Sequence, residues 1–104
     1  MSTVMIYVTA GSRAEAAMIG RTIVEERLAA CANVVPEIAS FYWWEGTVQE
    51  DSEASLILKT RRELTENVIS RVKELHNYDC PCVVSFPIAD GNKEFLNWVI
   101  KETS

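Results

Sequence analysis

Residues 32–60 read ANVVPEIASFYWWEGTVQEDSEASLILKT, and the fold turns on how this stretch is read. Two β-rich arms flank Glu45 and Gly46. The first carries Val34, Val35, Ile38 and the run Phe41, Tyr42, Trp43, Trp44. The second carries Val48 and then Leu56, Ile57 and Leu58. Aromatic and β-branched residues on either side of a glycine signal a hairpin. Each arm holds about a dozen residues, twice the ~5–6 of an ordinary strand. Pro36 predicts a bend or an edge position in the first arm. A chain of 104 residues cannot cover so long a ribbon. Its aromatic end is therefore expected to meet another chain. Alternation puts Phe41 and Trp43 on one face and Tyr42 and Trp44 on the other, so both faces of the tip are aromatic.

The elements around the hairpin complete the pattern. Val4–Thr9 is an apolar run, read as a buried central strand. Ser12 and Glu15 have the spacing of a capping box and open a helix. Its apolar stripe is Ala16, Ile19, Gly20, Ile23, Val24 and Leu28, and it is expected to end near Ala29 and Ala30. Thr60 and Glu63 have the same capping spacing before a second helix, whose stripe is Leu64, Val68, Val72 and Leu75, closed by His76 and Asn77. Residues 82–88 read as a fourth strand, with Pro87 fixing its exit. Asp90-Gly91 reads as a turn, and Asn92 as the cap of a last helix carrying Phe95, Leu96, Trp98, Val99 and Ile100.

The order is β-α-β-β-α-β plus a terminal helix, one domain over residues 1–104. This is an α+β, ferredoxin-like sandwich with a long β2–β3 hairpin, its helices expected on one face of an antiparallel sheet. Such a fold hosts many functions and specifies none.

Composition narrows the classes. The formal charge is −5, with no Lys/Arg cluster, which argues against non-specific binding to nucleic acid or an anionic membrane. No apolar run is long enough to span a bilayer and no signal peptide is read. Three cysteines are an odd number and form no closed disulfide framework, so a reducing cytoplasm is expected. The chain has one histidine, no serine in an elbow motif and only four scattered glycines, so no nucleophile–base set and no phosphate loop is read. An enzyme is not expected.

By residue type the metal candidates are Cys80 and Cys82, which flank Pro81. Two thiolates suit a soft ion. The competing reading is two small hydrophobes entering a strand. Cys31 is expected to be buried and structural. The stripes and caps account for a core without metal, so none is expected to be required for folding.

Five segments together resemble the CutA family, the divalent-cation-tolerance proteins: residues 26–33 (ERLAACAN), 41–46 (FYWWEG), 56–60 (LILKT), 75–78 (LHNY) and 78–81 (YDCP). The resemblance runs along nearly the whole chain. It implies ferredoxin-like subunits assembled as homotrimers, like the PII signal proteins, and a link to tolerance of copper and other divalent cations. Animal members have been tied to acetylcholinesterase anchoring; the resemblance names no protein partner for this chain. Some members hold copper with a Cys at the end of the first strand and two adjacent His at the end of the second helix. His76 matches the second His, Leu75 stands at the first, and Val8 stands near the Cys position, so two of three ligands are replaced. The family segments also suggest an intersubunit cleft of Glu45, Lys59, Tyr78 and Asp79, which could take a small ligand or an ion. Two functions follow: a trimeric metal-response protein, or a PII-like signalling or scaffold module.

Overall fold

A computed structural model describes residues 2–104 of the chain. The elements are β1 (Thr3–Ala10), α1 (Arg13–Glu25), β2 (Cys31–Trp44), β3 (Thr47–Arg61), a 3-10 turn (Arg62–Leu64), α2 (Thr65–Leu75), β4 (Val83–Pro87) and α3 (Lys93–Glu102). The sheet order is β2-β3-β1-β4, every pair antiparallel. This is the expected ferredoxin-like sandwich with its terminal helix.

Register fixes where the core lies. β1 pairs with β3 from Thr3↔Arg61 to Ala10↔Ala54, and with β4 from Val4↔Pro87 to Val8↔Val83. Val4, Ile6, Val8 and Ala10 point one way and are buried, as are Ala54, Leu56, Leu58 and Thr60 beside them. Ala16, Ile19 and Ile23 of α1 and Val68 and Val72 of α2 close over that face. Each Val, Leu or Ile among them contributes about 1.5–3 kcal/mol by leaving water. Gly20 lets α1 approach: a Cβ there would lie 2.8 Å from Leu56 Cδ1. α3 stands apart from this core. It packs against β3 and β1, buries Val99, and leaves Phe95 and Trp98 about two-fifths exposed. The core over the sheet is thus built from α1 and α2, and α3 contributes no residue to it.

Two helix boundaries differ from expectation. α1 ends at Glu25 rather than Ala29–Ala30 because Arg27 takes φ +63°. The Leu28 N–H then bonds the Ile23 carbonyl and the Arg27 N–H the Val24 carbonyl, each at 3.0 Å. That pair of bonds is a Schellman closure, usually made by glycine. α2 begins at Thr65, not at a Thr60–Glu63 capping box. Thr60 belongs to β3, points inward with Leu56 and Leu58, and donates its hydroxyl to the Leu28 carbonyl at 2.7 Å. The box of α1 is half formed. Ser12 Oγ accepts from the Glu15 N–H at 3.1 Å, but the Glu15 carboxylate reaches past the cap to the Gly11 N–H.

The hairpin is longer than any other element. Trp44 pairs with Thr47 across Glu45 (φ +49°) and Gly46 (φ +81°), a two-residue turn with both centres left-handed. Pro36 lies where the register slips, between Val35 and Ile38. β1 reaches β3 no further than Ala54, so residues 38–53 form a two-stranded ribbon beyond the sheet. The ribbon gives the molecule its 44 Å long axis against 25 and 22 Å. Phe41 is 66%, Trp43 74% and Trp44 60% exposed.

Candidate functional site

Polar groups gather where β1 ends, α1 starts, α2 stops and the ribbon leaves the sheet. Glu15 anchors them. One carboxylate oxygen accepts the Gly11 N–H at 3.0 Å, and the other accepts the Asn77 N–H at 2.8 Å. That joins the start of α1 to the segment after α2, 62 residues away. His76 lies beneath, its side chain wholly buried, with Nδ1 3.7 Å from Glu15. Its Nε2–H donates to the Thr9 carbonyl at 2.7 Å, and its Nδ1 accepts the Tyr78 N–H at 3.0 Å. A carbonyl can only accept and an amide only donate, so these two bonds fix the neutral Nε2–H tautomer. Both ring nitrogens are then used within the chain.

Tyr78 carries the network to the ribbon. Its ring lies 4.7 Å from that of His76, and its hydroxyl donates to Glu53 Oε2 at 2.9 Å. Burial first, and the carboxylate of Glu53 second, push the phenol up to about 12. Gly11 makes room: a Cβ there would sit 3.2 Å from the Tyr78 hydroxyl. Further out, Tyr42 donates to Asp51 across the ribbon, and that bond raises its own phenol above the ordinary value. The result is an acidic rim of Asp51 and Glu53 with two phenols that act as donors. It can hold polar or cationic groups by hydrogen bonding, and it presents no nucleophile beside a base.

The predicted residues divide among distant places. His76, Cys80 and Cys82 are not gathered into a three-donor site. His76 is buried and committed on both nitrogens, while Cys80 and Cys82 are exposed. Among the described residues no three His, Cys, Asp or Glu side chains are close enough to hold a metal ion. The alternative for the cysteine pair, burial as small hydrophobes, is corrected too, since β4 begins only at Val83. Cys31 is half-buried at the start of β2, not fully buried. Val8 is buried in the core and Leu75 half-buried against it, and neither side chain carries a donor atom for a metal.

Glu45 and Lys59 lie toward opposite ends of the hairpin. Glu45 is in the turn, whereas Lys59 pairs with Met5 and Cys31 in the sheet and donates to Asn33 Oδ1 at 2.9 Å. Twelve residues of strand between Thr47 and Lys59 span about 40 Å at ~3.3 Å each. Within one chain the four cleft residues do not converge. Tyr78 alone among them joins the polar cluster, and Asp79 is exposed. Sequence reading missed Glu15 as an organiser, together with Gly11, Asp51 and Glu53. The available signal was Gly11 directly after a buried strand with a carboxylate four residues on.

Comparison with known proteins agrees with this architecture. The family model for the CutA1 divalent ion tolerance protein matches residues 4–102. The divalent-cation tolerance protein CutA of Pyrococcus horikoshii is 43% identical over 100 residues, covering 96% of this chain and 97% of that one. The chloroplastic CutA 1 of Oryza sativa is 43% identical over 101 residues, but this chain spans only 57% of it. Among solved structures, the periplasmic divalent cation tolerance protein CutA of Archaeoglobus fulgidus superposes with a TM-score of 0.95 at 41% identity, covering 98% and 99% of the two chains. CutA1 of Oryza sativa superposes with a TM-score of 0.97 at 41% identity, covering 100% and 95%. The chain belongs to the CutA1 divalent ion tolerance family.

Proposed function

We propose that this protein is a non-enzymatic homotrimer of divalent-cation tolerance, acting in the response to copper or a similar ion. The observation that carries the reading is the bare aromatic ribbon. Trp43, Phe41 and Trp44 are more than half exposed on an element that the rest of the chain leaves uncovered. A cyclic contact in which each ribbon lies on the next subunit's sheet would cover both its faces, and would also cover Val84 and Phe86, which are 43% and 47% exposed on β4. The same contact would carry the Glu45 turn of one copy toward another copy, making an intersubunit cleft with Lys59, Tyr78 and Asp79. No nucleic acid or membrane partner is proposed. Among the described residues no helix is long and apolar enough to cross a membrane. The cytoplasm is proposed from cysteine usage, while relatives carry chloroplastic and periplasmic names.

Native mass spectrometry with and without chelator tests this reading, since it reports oligomer and bound ion together. Three chains with a divalent ion that the chelator strips is the expected spectrum. A single chain with no ion refutes it. The Tyr78–Glu53 pair at the root of the ribbon and the Tyr42–Asp51 pair further out favour the PII-like alternative, because they offer polar recognition without a cluster of three metal ligands among the described residues. Under that reading a small ligand raises the melting temperature with no metal present.

A further inference from the structure

The ribbon leaves the body at a defined joint. β1 backs β3 as far as Ala10↔Ala54 and no further. At that same level the register of β2 slips. Val35 faces Ser55 and Ile38 faces Glu53, so Pro36 and Glu37 stand against Ala54 alone. Two residues against one make a β-bulge, which bends and twists the strand that carries it. Pro36 also has no N–H to give the ladder. The pairing with β2 is therefore interrupted at the level where the third strand stops. A two-stranded ribbon beyond such a joint is free to swing about it.

A side chain from outside the hairpin crosses this joint. The Tyr78 hydroxyl donates at 2.9 Å to Glu53, the first residue of β3 beyond Ala54. The base of Tyr78 is held on three sides. Its N–H bonds His76 Nδ1 at 3.0 Å, and its ring lies 4.7 Å from the imidazole. His76 is tied to β1 through the Thr9 carbonyl. The Asn77 N–H just before it bonds Glu15 of α1 at 2.8 Å. The phenol is thus rooted in the body before it reaches the ribbon. We infer that Tyr78 is a strut that sets the direction in which the ribbon leaves the body, and so the direction in which Phe41, Trp43 and Trp44 meet a second copy of this chain. A ribbon that is already aimed loses less freedom when it docks. This consequence for assembly rests on the proposed ribbon contact, whereas the strut itself does not.

The test compares the full chain with Tyr78→Phe, Glu53→Ala and Glu53→Gln in a dilution series read by light scattering. Urea is added equally to all four, as far as needed to bring the wild-type assembly to half dissociation. Tyr78→Phe and Glu53→Ala should need at least about five-fold more protein to assemble, the worth of one hydrogen bond of ordinary net strength. Glu53→Gln should assemble like the wild type, because its amide oxygen still accepts from the phenol. Both Glu53 variants remove the same charge, so their difference isolates the bond. Unchanged circular dichroism shows that the body still folds. Wild-type assembly of Tyr78→Phe and Glu53→Ala, or a Glu53→Gln as weak as Glu53→Ala, would overturn the strut. A wild-type mass of one chain at every concentration would overturn the ribbon contact instead. Nuclear spin relaxation on that single chain then reads the strut directly: wider motion of residues 38–53 in Tyr78→Phe than in the wild type supports it, and equal motion overturns it.

Discussion

Ile6 and Trp43 are both large apolar side chains on antiparallel strands, yet Ile6 is 0% exposed and Trp43 is 74% exposed. The strand rules are the same for both. What differs is cover: α1 and α2 close over β1 and the inner half of β3, while beyond Ala54 β3 pairs with β2 alone and leaves Phe41, Trp43 and Trp44 more than half exposed. The body buries its own apolar faces, and the ribbon leaves its aromatic side chains bare. Mutations should therefore act on the body at any protein concentration, and on the ribbon through association.

The largest effect belongs to the body. Leu56→Ala removes a side chain buried from all water and should cost about 2–5 kcal/mol in denaturant unfolding, whatever the concentration. Phe41→Ala, at 66% exposure, should leave a dilute chain unchanged and weaken a concentrated one. Equal, concentration-independent losses would erase the distinction between the regions.

The glycines repeat the contrast on a smaller scale. Gly20→Ala drives a methyl to 2.8 Å from Leu56 and 3.2 Å from Ala32. Overpacking of that kind costs about 1–3 kcal/mol. Gly46→Ala meets nothing within 4 Å but must hold φ +81°. Its expected cost is about 1 kcal/mol, all of it backbone. Thermal melts of the two variants rank them, and a larger loss at Gly46 would contradict the packing of α1 on β3.

Tyr78 joins the two regions. Tyr78→Phe removes the bond to Glu53, and since Tyr78 is 40% exposed the loss should stay below about 1 kcal/mol at neutral pH. The sign with pH is distinctive. The fold favours the protonated phenol, held up to about 12 mainly by burial. That contribution is whole below the ordinary phenol value near 10 and fades as pH rises toward about 12. Phenylalanine has no such proton, so its stability should fall less steeply over that range. Parallel alkaline curves for the two proteins would remove Tyr78 from the junction. The smallest expected effect is that of EDTA, which should leave the melting temperature of the body within error. A large drop would reveal a structural metal.

These contrasts also separate what the residues announce from what they hide. The two-residue turn at Gly46, the slip at Pro36 and the capping side-chain oxygens of Ser12 and Asn92 were readable because each is a local solution to a local problem. The end of α1 was not, because Arg27 takes a left-handed conformation without the glycine that normally marks one. Thr60 was misread because a threonine before a helix looks the same whether it caps that helix or closes a strand. The site was hidden more deeply. Glu15 meets Asn77 across 62 residues and His76 meets Thr9 across 67, and no spacing rule reaches so far. The metal expectation took His76 from its match to a family histidine, and that match carries no sign that both ring nitrogens are bonded within the chain.

The central claim is that the ribbon is completed by further copies of this chain. Size exclusion coupled to light scattering on the wild-type protein tests it most directly, with Trp43→Asp and Trp44→Asp as controls that should dissociate the assembly. The account predicts a mass of three chains of 11.7 kDa each. A wild-type mass of one chain at every concentration would contradict it, and a dimer would leave the ribbon as an interface but end the three-fold arrangement.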